Sequence, residues 1–144
     1  MRKSRCAAWD GKARNHGVSM TELLYENEAY KIRGAIFEVY REMGSGFLEA
    51  VYQECLALEM RCIGIDFEIF QTLNLTYKDQ ALVQTYRPDF VCYGKIILEL
   101  KATEAIGVAH RAQLLNYLKA TGMRLGLLVN FGATPKVQIE RVIL

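Results

Sequence analysis

The segment RPDFVCYGKIILELK, residues 87–101, contains two short runs of strand-forming residues separated by Tyr-Gly-Lys. Phe, Val and Ile favour strands, and glycine favours the tight turn that joins two antiparallel strands. We therefore predict a β-hairpin, with strands over about 86–92 and 96–101 and a turn around Gly94. Pro88 suits the beginning of a strand because proline has no N–H group to donate to a neighbouring strand.

This hairpin places two acidic residues opposite each other. Asp89 and Glu99 each lie five residues from Gly94, so a symmetric hairpin makes them a cross-strand pair with Cβ atoms about 5 Å apart. Like charges in this position repel each other, and the fold gains nothing from them without compensation. A divalent cation would compensate both charges, and carboxylate oxygens are ligands that Mg²⁺ accepts. The spacing therefore predicts a metal site held by Asp89 and Glu99.

A lysine completes the group. Lys101 follows Glu99 by two residues, so it points to the same face of its strand, while Leu98 and Leu100 point to the opposite face, toward the core. A lysine beside a metal can hold an attacking water and stabilise charge that develops on a phosphate. The alternative is that Glu-x-Lys is part of an ordinary solvated strand face. Asp89 on the opposite strand favours the functional interpretation.

Apolar residues at helical spacing predict three helices, over about 28–43, 48–62 and 108–121. The positions expected on their apolar faces are Ile32, Ala35, Ile36, Val39, Tyr40 and Met43; Leu48, Val51, Tyr52, Cys55, Leu56 and Cys62; and Ala112, Leu115 and Leu118. Residues 66–77 alternate as a strand does, residues 125–129 predict a buried strand, and residues 137–143 an edge strand. The order is helix, helix, three strands, helix, strand, strand, which predicts a single α/β domain over residues 20–144.

Two further polar groups lie on the predicted helices. Glu49 occupies the first turn of the second helix, where a carboxylate also favours the helix dipole, and Tyr52 lies on the same side or in the core. His110, Gln113 and Tyr117 share one face of the third helix because they are three and four residues apart. Such a stripe can line a site, although the ordinary wet face of a helix has the same pattern.

The composition is that of a folded protein. The chain has 144 residues, of which 51% are hydrophobic and 24% charged. No apolar run approaches the ~20 residues that span a bilayer, and the N-terminus lacks the apolar segment of a secretory signal. The four cysteines have no C-x-x-C spacing, so a zinc site is not predicted and a reduced, cytoplasmic chain is the simpler interpretation.

The charge is distributed unevenly. Residues 1–19 hold five of the 18 basic residues and one of the 16 acidic residues, so residues 20–144 hold 13 basic and 15 acidic residues, a net charge of −2. A domain that binds nucleic acid by charge alone would be basic, which argues against tight nonspecific binding. Residues 1–19 have no hydrophobic period, and we predict a disordered basic tail, with a nucleic-acid-binding arm as the alternative and Met20 as an alternative true start.

Together these motifs resemble a known family, the bacterial GxxExxY proteins, which are assigned to the PD-(D/E)XK nuclease superfamily. The resemblance covers roughly residues 26–144 and is carried by four motifs, namely Gly46-x-x-Glu49-x-x-Tyr52, Asp89, Glu99-x-Lys101 and Gln113-x-x-x-Tyr117. It implies a restriction-endonuclease-like fold, with a mixed β-sheet flanked by helices. Family members often carry a histidine in the first helix where this chain has Tyr40, so no role is predicted for that position.

The resemblance also implies roles for these residues. Asp89 and Glu99 would bind Mg²⁺, with Mn²⁺ as a substitute, and Glu49 would be an additional acidic ligand or catalytic group. Lys101 would serve the nucleophilic water, while Gln113 and Tyr117 would support the site or contact nucleic acid. The implied activity is Mg²⁺-dependent hydrolysis of nucleic-acid phosphodiester bonds. The sequence does not distinguish a DNA from an RNA substrate, and of the two DNA is the favoured partner.

Two alternatives to an active nuclease stay open. One is a catalytically silent nuclease-fold module that binds nucleic acid or protein, which the near-neutral charge favours. The other is a nuclease subunit that is competent only with a partner, as a homodimer or within a larger complex. Metal binding separates the active enzyme from the silent module, and activity of the isolated chain separates it from the partner-dependent subunit.

We expect deletion of residues 1–19 to shift the melting temperature little, because nothing in that segment can bury a sizeable apolar face. Thermal unfolding of the full-length and shortened chains measures this. A loss of several degrees would show that the segment docks on the domain.

Overall fold

The computed structural model describes residues 23–144, so the predictions for residues 1–19 and Met20 lie outside the described residues. Three helices and seven strands form within the described range. The helices are α1 (Glu26–Met43), α2 (Glu49–Cys62) and α3 (Val108–Thr121). The strands are β1 (Phe67–Ile69), β2 (Leu73–Tyr77), β3 (Gln80–Tyr86), β4 (Phe90–Cys92), β5 (Ile96–Lys101), β6 (Leu125–Asn130) and β7 (Gln138–Ile143).

Five strands form a mixed sheet in the order β1-β4-β5-β6-β7, and β2 and β3 form a separate two-stranded ribbon. The pair β5–β6 is parallel and the other neighbours in the sheet are antiparallel. Because β5 and β6 are parallel, the chain must cross over between them, and α3 makes this connection. The predicted α/β class and the mixed sheet flanked by helices are confirmed.

Two of the predicted strands are divided. Residues 66–77 form β1 and β2 in different sheets, because the chain turns at Phe70, whose φ of 50° is incompatible with a continuous strand. The strand predicted over 86–92 begins only at Phe90, and Tyr86 is the last residue of β3. Pro88 lies between these strands, where it has no ladder hydrogen bond to donate. Alternation shows which residues prefer strands, but it does not show where a sheet ends.

The mixed sheet is covered on both faces. On one face Leu98 and Leu100 pack with Ile36 of α1 and Leu56 of α2 in the larger core. On the other face Ile97 packs in a smaller core with residues of α3 and of the β2–β3 ribbon. The predicted orientation of Leu98 and Leu100 toward the core is confirmed, and the chemistry-bearing face of β5 is the one that α3 covers.

Helix α1 has the predicted apolar face. Ile32, Ala35, Ile36 and Val39 are buried, and Tyr40 donates a 2.7 Å hydrogen bond from its hydroxyl to the Ala133 carbonyl oxygen. This bond fastens α1 to the loop that precedes β7. None of the helices within residues 23–144 is both long and apolar enough to cross a membrane.

The start of α2 is set by Tyr52 rather than by Leu48. Tyr52 is fully buried and stacks on Phe131 with ring centroids 4.5 Å apart. Its hydroxyl donates to the Gly44 carbonyl oxygen at 2.5 Å and accepts from the Phe47 N–H at 3.2 Å, so it holds the loop between α1 and α2. The prediction that Leu48 faces the core is wrong, because it precedes the first helical turn and is 76% exposed.

The chain beyond β5 is held by Asn130, the last residue of β6, and by Gly132, which follows it. The buried Asn130 side chain accepts hydrogen bonds from the N–H groups of Thr103 and Gly132, both at 3.0 Å. A Cβ atom on Gly132 would lie 2.2 Å from the Thr103 carbonyl oxygen, so only glycine allows this close approach. Together these contacts of Asn130 and Gly132 with Thr103 form a clamp, which fixes the direction in which the chain leaves Lys101.

We expect Gly132→Ala to reduce the free energy of unfolding by about 2 kcal/mol or more, because the added methyl group overlaps backbone atoms that cannot move aside. The matched control is Gly34→Ala in α1, where an added Cβ meets nothing within 4 Å. That variant should be neutral or stabilised by up to about 1 kcal/mol, since alanine favours helices. Urea unfolding measures both, and equal stability of the two variants would contradict the clamp.

Candidate active site

The β4–β5 hairpin brings Asp89 and Glu99 together. The ladder pairs Phe90 with Leu98, and its continuation by one residue sets Asp89 opposite Glu99. The Leu100 N–H donates a 2.8 Å hydrogen bond to Oδ2 of Asp89. This bond holds the Asp89 side chain against the backbone of β5, in the register that the symmetric hairpin predicts.

Lys101 lies on the same face of β5 as Glu99. Alternation along β5 sets Glu99 and Lys101 on the side of Ile97, which packs in the core beneath α3. Glu99 and Lys101 line the same cavity. Burial raises the pKa of Asp89 and of Glu99, and the charge of Lys101 partly offsets this rise. The predicted acidic pair and the lysine therefore share one site, while their individual roles stay predictions.

Burial makes the two carboxylates costly to ionise. Loss of water raises the pKa of Glu99 to about 7, with a further contribution from the Asp89 charge, and the Tyr86 hydroxyl and Lys101 oppose this shift. Burial also raises the pKa of Asp89, while the Leu100 N–H and Lys101 oppose it. The single lysine does not compensate the pair, so the site carries excess negative charge when both groups are ionised.

A stacked pair of tyrosines supports Glu99. Tyr86 is buried at the end of β3 and donates a short hydrogen bond from its hydroxyl to Oε1 of Glu99. The ring of Tyr117 stacks on the Tyr86 ring, with centroids 3.7 Å apart and planes 3° from parallel. Burial and the neighbouring carboxylates raise the pKa of Tyr86, so its hydroxyl keeps its proton and stays a donor.

Sequence reasoning missed Tyr86. Its position as an aromatic residue at the end of a strand is typical of packing, and thirteen residues separate it from Glu99. The contact between Tyr86 and Glu99 forms because the β2–β3 ribbon packs close to the sheet, and this packing is visible only in the folded structure. Tyr117, by contrast, was predicted as a site residue, and the structure places it against Tyr86 rather than against either carboxylate.

A cavity of about 210 Å³ adjoins Glu99 and Lys101 beneath α3. Its lining includes Arg87, His110, Gln113 and Tyr117, so the predicted polar stripe of α3 faces the site. His110 also caps its helix, because its Nδ1 accepts the Gly107 N–H at 3.2 Å.

The buried face of α3 differs from the prediction in its register. Leu114 and Leu118 are the buried residues, Leu115 is half-buried and Ala112 is exposed. The prediction that Ala112 is buried is wrong. The reason is that Leu114 packs directly against the backbone of Gly126 in β6. A Cβ atom added to Gly126 would lie only 2.8 Å from the Leu114 side chain.

Glu49 lies on the other side of the carboxylate pair. It is exposed at the start of α2 and lines a second cavity of about 430 Å³ together with Asp89 and Phe70. Within residues 23–144, no group of three or more His, Cys, Asp or Glu side chains is close enough to hold a metal ion. The structure therefore pairs Asp89 with Glu99 across the hairpin, and Glu49 shares this cavity with Asp89.

The acidic pair nevertheless fits a divalent cation. Asp89 and Glu99 supply hard oxygen donors with uncompensated negative charge, and the Leu100 N–H occupies only Oδ2 of Asp89. Mg²⁺ commonly binds to one or two carboxylates and fills its remaining positions with water and substrate phosphate. A two-carboxylate site is therefore compatible with this ion, and the role of Glu49 as a further ligand stays a prediction.

Comparison with known proteins gives a family match and a similarity in fold. A family model described as the PD-(D/E)XK nuclease superfamily matches residues 26–142. Among solved structures, the crystal structure of SSO0001 is similar in fold, with a TM-score of 0.50 and 19% sequence identity over 83% of this chain. The match spans 60% of that protein's chain. Among curated proteins, no relative matches this sequence.

We expect Glu99→Gln to raise the free energy of unfolding of the metal-free protein by about 3 kcal/mol at pH 8, because folding raises the pKa of Glu99 from 4.5 to about 7. The folded wild type binds this proton more tightly than the unfolded chain does. Its stability therefore falls as the pH rises from about 4.5 through about 7, and the advantage of glutamine should shrink toward pH 5.

Urea unfolding in EDTA between pH 5 and 8 measures this difference. Glutamine keeps an oxygen that accepts the Tyr86 hydroxyl, so the comparison isolates the charge. Glu104→Gln, at an exposed position, should follow the wild type. If the free energy of unfolding of Glu99→Gln changed with pH as that of the wild type does, burial would not raise the pKa of Glu99.

Proposed function

Because the chain belongs to the PD-(D/E)XK nuclease superfamily, we propose that it is a divalent-metal-dependent nuclease that hydrolyses nucleic-acid phosphodiester bonds. The observation that carries the proposal is the acidic pair of Asp89 and Glu99 with Lys101 on the same sheet face. Buried like charges destabilise the fold, so their presence in a cleft indicates a functional site.

Asp89 and Glu99 are the residues proposed to hold the metal, with Mg²⁺ as the physiological ion and Mn²⁺ as a substitute. A bound ion of this kind polarises the scissile phosphate and lowers the pKa of a coordinated water. Glu49 contributes negative charge from the second cavity and can orient a water that belongs to the ion's outer shell.

Lys101 is the proposed partner of the reacting groups. Its ammonium group can donate hydrogen bonds to the attacking water and to a phosphate oxygen, on which charge increases in the transition state. Partial burial strengthens this interaction because little water competes for the ammonium protons. Such a contact is stronger in the transition state than in the ground state, so it raises turnover more than binding.

Tyr86 and Tyr117 position Glu99. The Tyr86 hydroxyl restrains Oε1, and the stacked Tyr117 ring restrains Tyr86 in turn. Gln113 lines the cavity beside Lys101 and offers an amide to a nucleotide or to an ordered water. The two residues of the Gln-x-x-x-Tyr motif then have different roles. Gln113 lines the cavity, and Tyr117 restrains Tyr86, which in turn positions Glu99.

A nuclease subunit that needs a partner is the second candidate, because residues 20–144 carry a net charge of −2. Nucleic acid binds mainly through phosphate contacts with basic residues. A partner, either a second copy or another chain, would supply that positive charge. DNA is the preferred substrate over RNA in either case.

We expect Asp89→Ala and Glu99→Ala each to abolish Mg²⁺-dependent cleavage and to weaken metal binding, since each removes one ligand. Lys101→Ala should keep metal binding and lose cleavage by about 100-fold or more, the usual cost of removing a group that stabilises transition-state charge. The measurements are calorimetric titration with Mn²⁺ and cleavage of single- and double-stranded DNA and RNA.

Lys119→Ala is the matched control, because Lys119 is an exposed lysine in the last turn of α3. It should cleave as the wild type does. An inactive wild type that does not bind Mn²⁺ at millimolar concentration would exclude the metal-dependent nuclease and favour the catalytically silent binding module. An inactive wild type that binds the ion would support the partner-dependent subunit.

A further inference from the structure

Phe70 has an unusual backbone for its type. Its φ is 50°, in the left-handed region that bulky residues rarely adopt. Its side chain is 47% exposed, so burial of the ring does not compensate for the strain. A strained residue that the surrounding structure holds in place is a feature of functional sites.

Asp89 of the acidic pair and the nearby Arg87 hold Phe70 in this conformation. The Phe70 N–H donates a 3.3 Å hydrogen bond to the backbone carbonyl oxygen of Asp89. The Phe70 carbonyl oxygen accepts a 3.3 Å hydrogen bond from Nε of Arg87. The position of the ring is therefore tied to the backbone of a proposed metal ligand, and the ring borders the 430 Å³ cavity that Asp89 also lines.

The two cavities beside the acidic pair differ in charge. The 210 Å³ cavity has Arg87 and Lys101 in its lining, both of which attract phosphate. The 430 Å³ cavity has Glu49 and Glu54 as well as Asp89 in its lining, and no lysine or arginine. A phosphate is repelled from the acidic cavity, whereas an uncharged planar group is not.

The acidic cavity also offers polar groups to the edge of a nucleobase. The carboxylates of Glu49 and Glu54 can accept hydrogen bonds from the amino groups of bases.

We propose that the Phe70 cavity is a nucleobase site, in which an unpaired base next to the scissile phosphate stacks on the Phe70 ring. Every base has a π-face that an aromatic side chain can cover. Within a duplex that face is already stacked on neighbouring bases, so access requires a single strand or an extruded base. The substrate class is therefore nucleic acid with unpaired bases at the cleavage position. This inference rests on the proposed function, which sets the phosphate at the acidic pair.

The test measures binding of a fluorescent ten-nucleotide single strand, and of its blunt duplex, by anisotropy in Mg²⁺. The full-length chain with Lys101→Ala serves as the background, so that the strand is not cut. Phe70→Ala should weaken single-strand binding by about 5- to 100-fold, the effect of removing one base–aromatic stack. Binding of the duplex should be weaker than that of the single strand and should not change.

Two variants separate stacking from a general loss of structure. Phe70→Trp keeps an aromatic face and should restore single-strand binding. Phe37→Ala is the matched control, because Phe37 is 53% exposed on α1 and lines neither of the two cavities. It should bind as the background does, and melting temperatures check that each variant is folded.

Four results would overturn the stacking site. They are an unchanged affinity in Phe70→Ala, a loss that Phe70→Trp does not restore, a blunt duplex that binds as tightly as the single strand, and no single-strand binding at all. Cleavage by the unsubstituted chain is measured separately. Active cleavage with unchanged Phe70→Ala affinity refutes only the stacking site. Phe70-dependent binding without cleavage of any substrate supports the stacking site and refutes only nuclease activity of the isolated chain.

Discussion

The pairing of β4 with β5 is the interaction on which the site and the sheet both depend. β5 is the central strand, antiparallel to β4 on one side and parallel to β6 on the other, so its register sets that of the whole sheet. That register buries Phe90 and Leu98 between the layers and sets Asp89 opposite Glu99 at the open end. A slip by one residue would turn every side chain of one strand to the other face. The stability of the core thus enforces the closeness of two carboxylates that repel each other.

Tyrosines have structural roles in two of the sequence motifs, Gly46-x-x-Glu49-x-x-Tyr52 and Gln113-x-x-x-Tyr117. Tyr52 closes the loop before α2, and Tyr117 stacks on the ring that positions Glu99. Each hydroxyl or ring acts on a backbone group or on another aromatic ring, not on the proposed metal. This division has a physical reason, because a buried carboxylate needs a restrained hydrogen-bond donor, and a large flat ring restrains its neighbour over a wide contact area.

The near-neutral charge of the domain conceals a local separation of charge. Arg87 and Lys101 line the cavity on one side of the acidic pair, and Glu49 and Glu54 line the cavity on the other. Fields near a surface depend on groups within about one Debye length, roughly 8–10 Å at ordinary salt. The local arrangement, more than the net charge, therefore decides where a phosphate can approach.

The sequence alone determined the β4–β5 hairpin, its symmetric register about Gly94 and the shared face of Glu99 and Lys101, because each follows from a period of two within fifteen residues. It also determined the three helices and the α/β class, since apolar spacing reports which residues share a face. Only the tertiary structure decided that Tyr86 supports Glu99, that Phe70 interrupts a strand at the rim of a cavity, and that Leu114 rather than Ala112 faces the sheet. Periodicity specifies a face but not its partner, and the partner is decided when segments distant in sequence pack together.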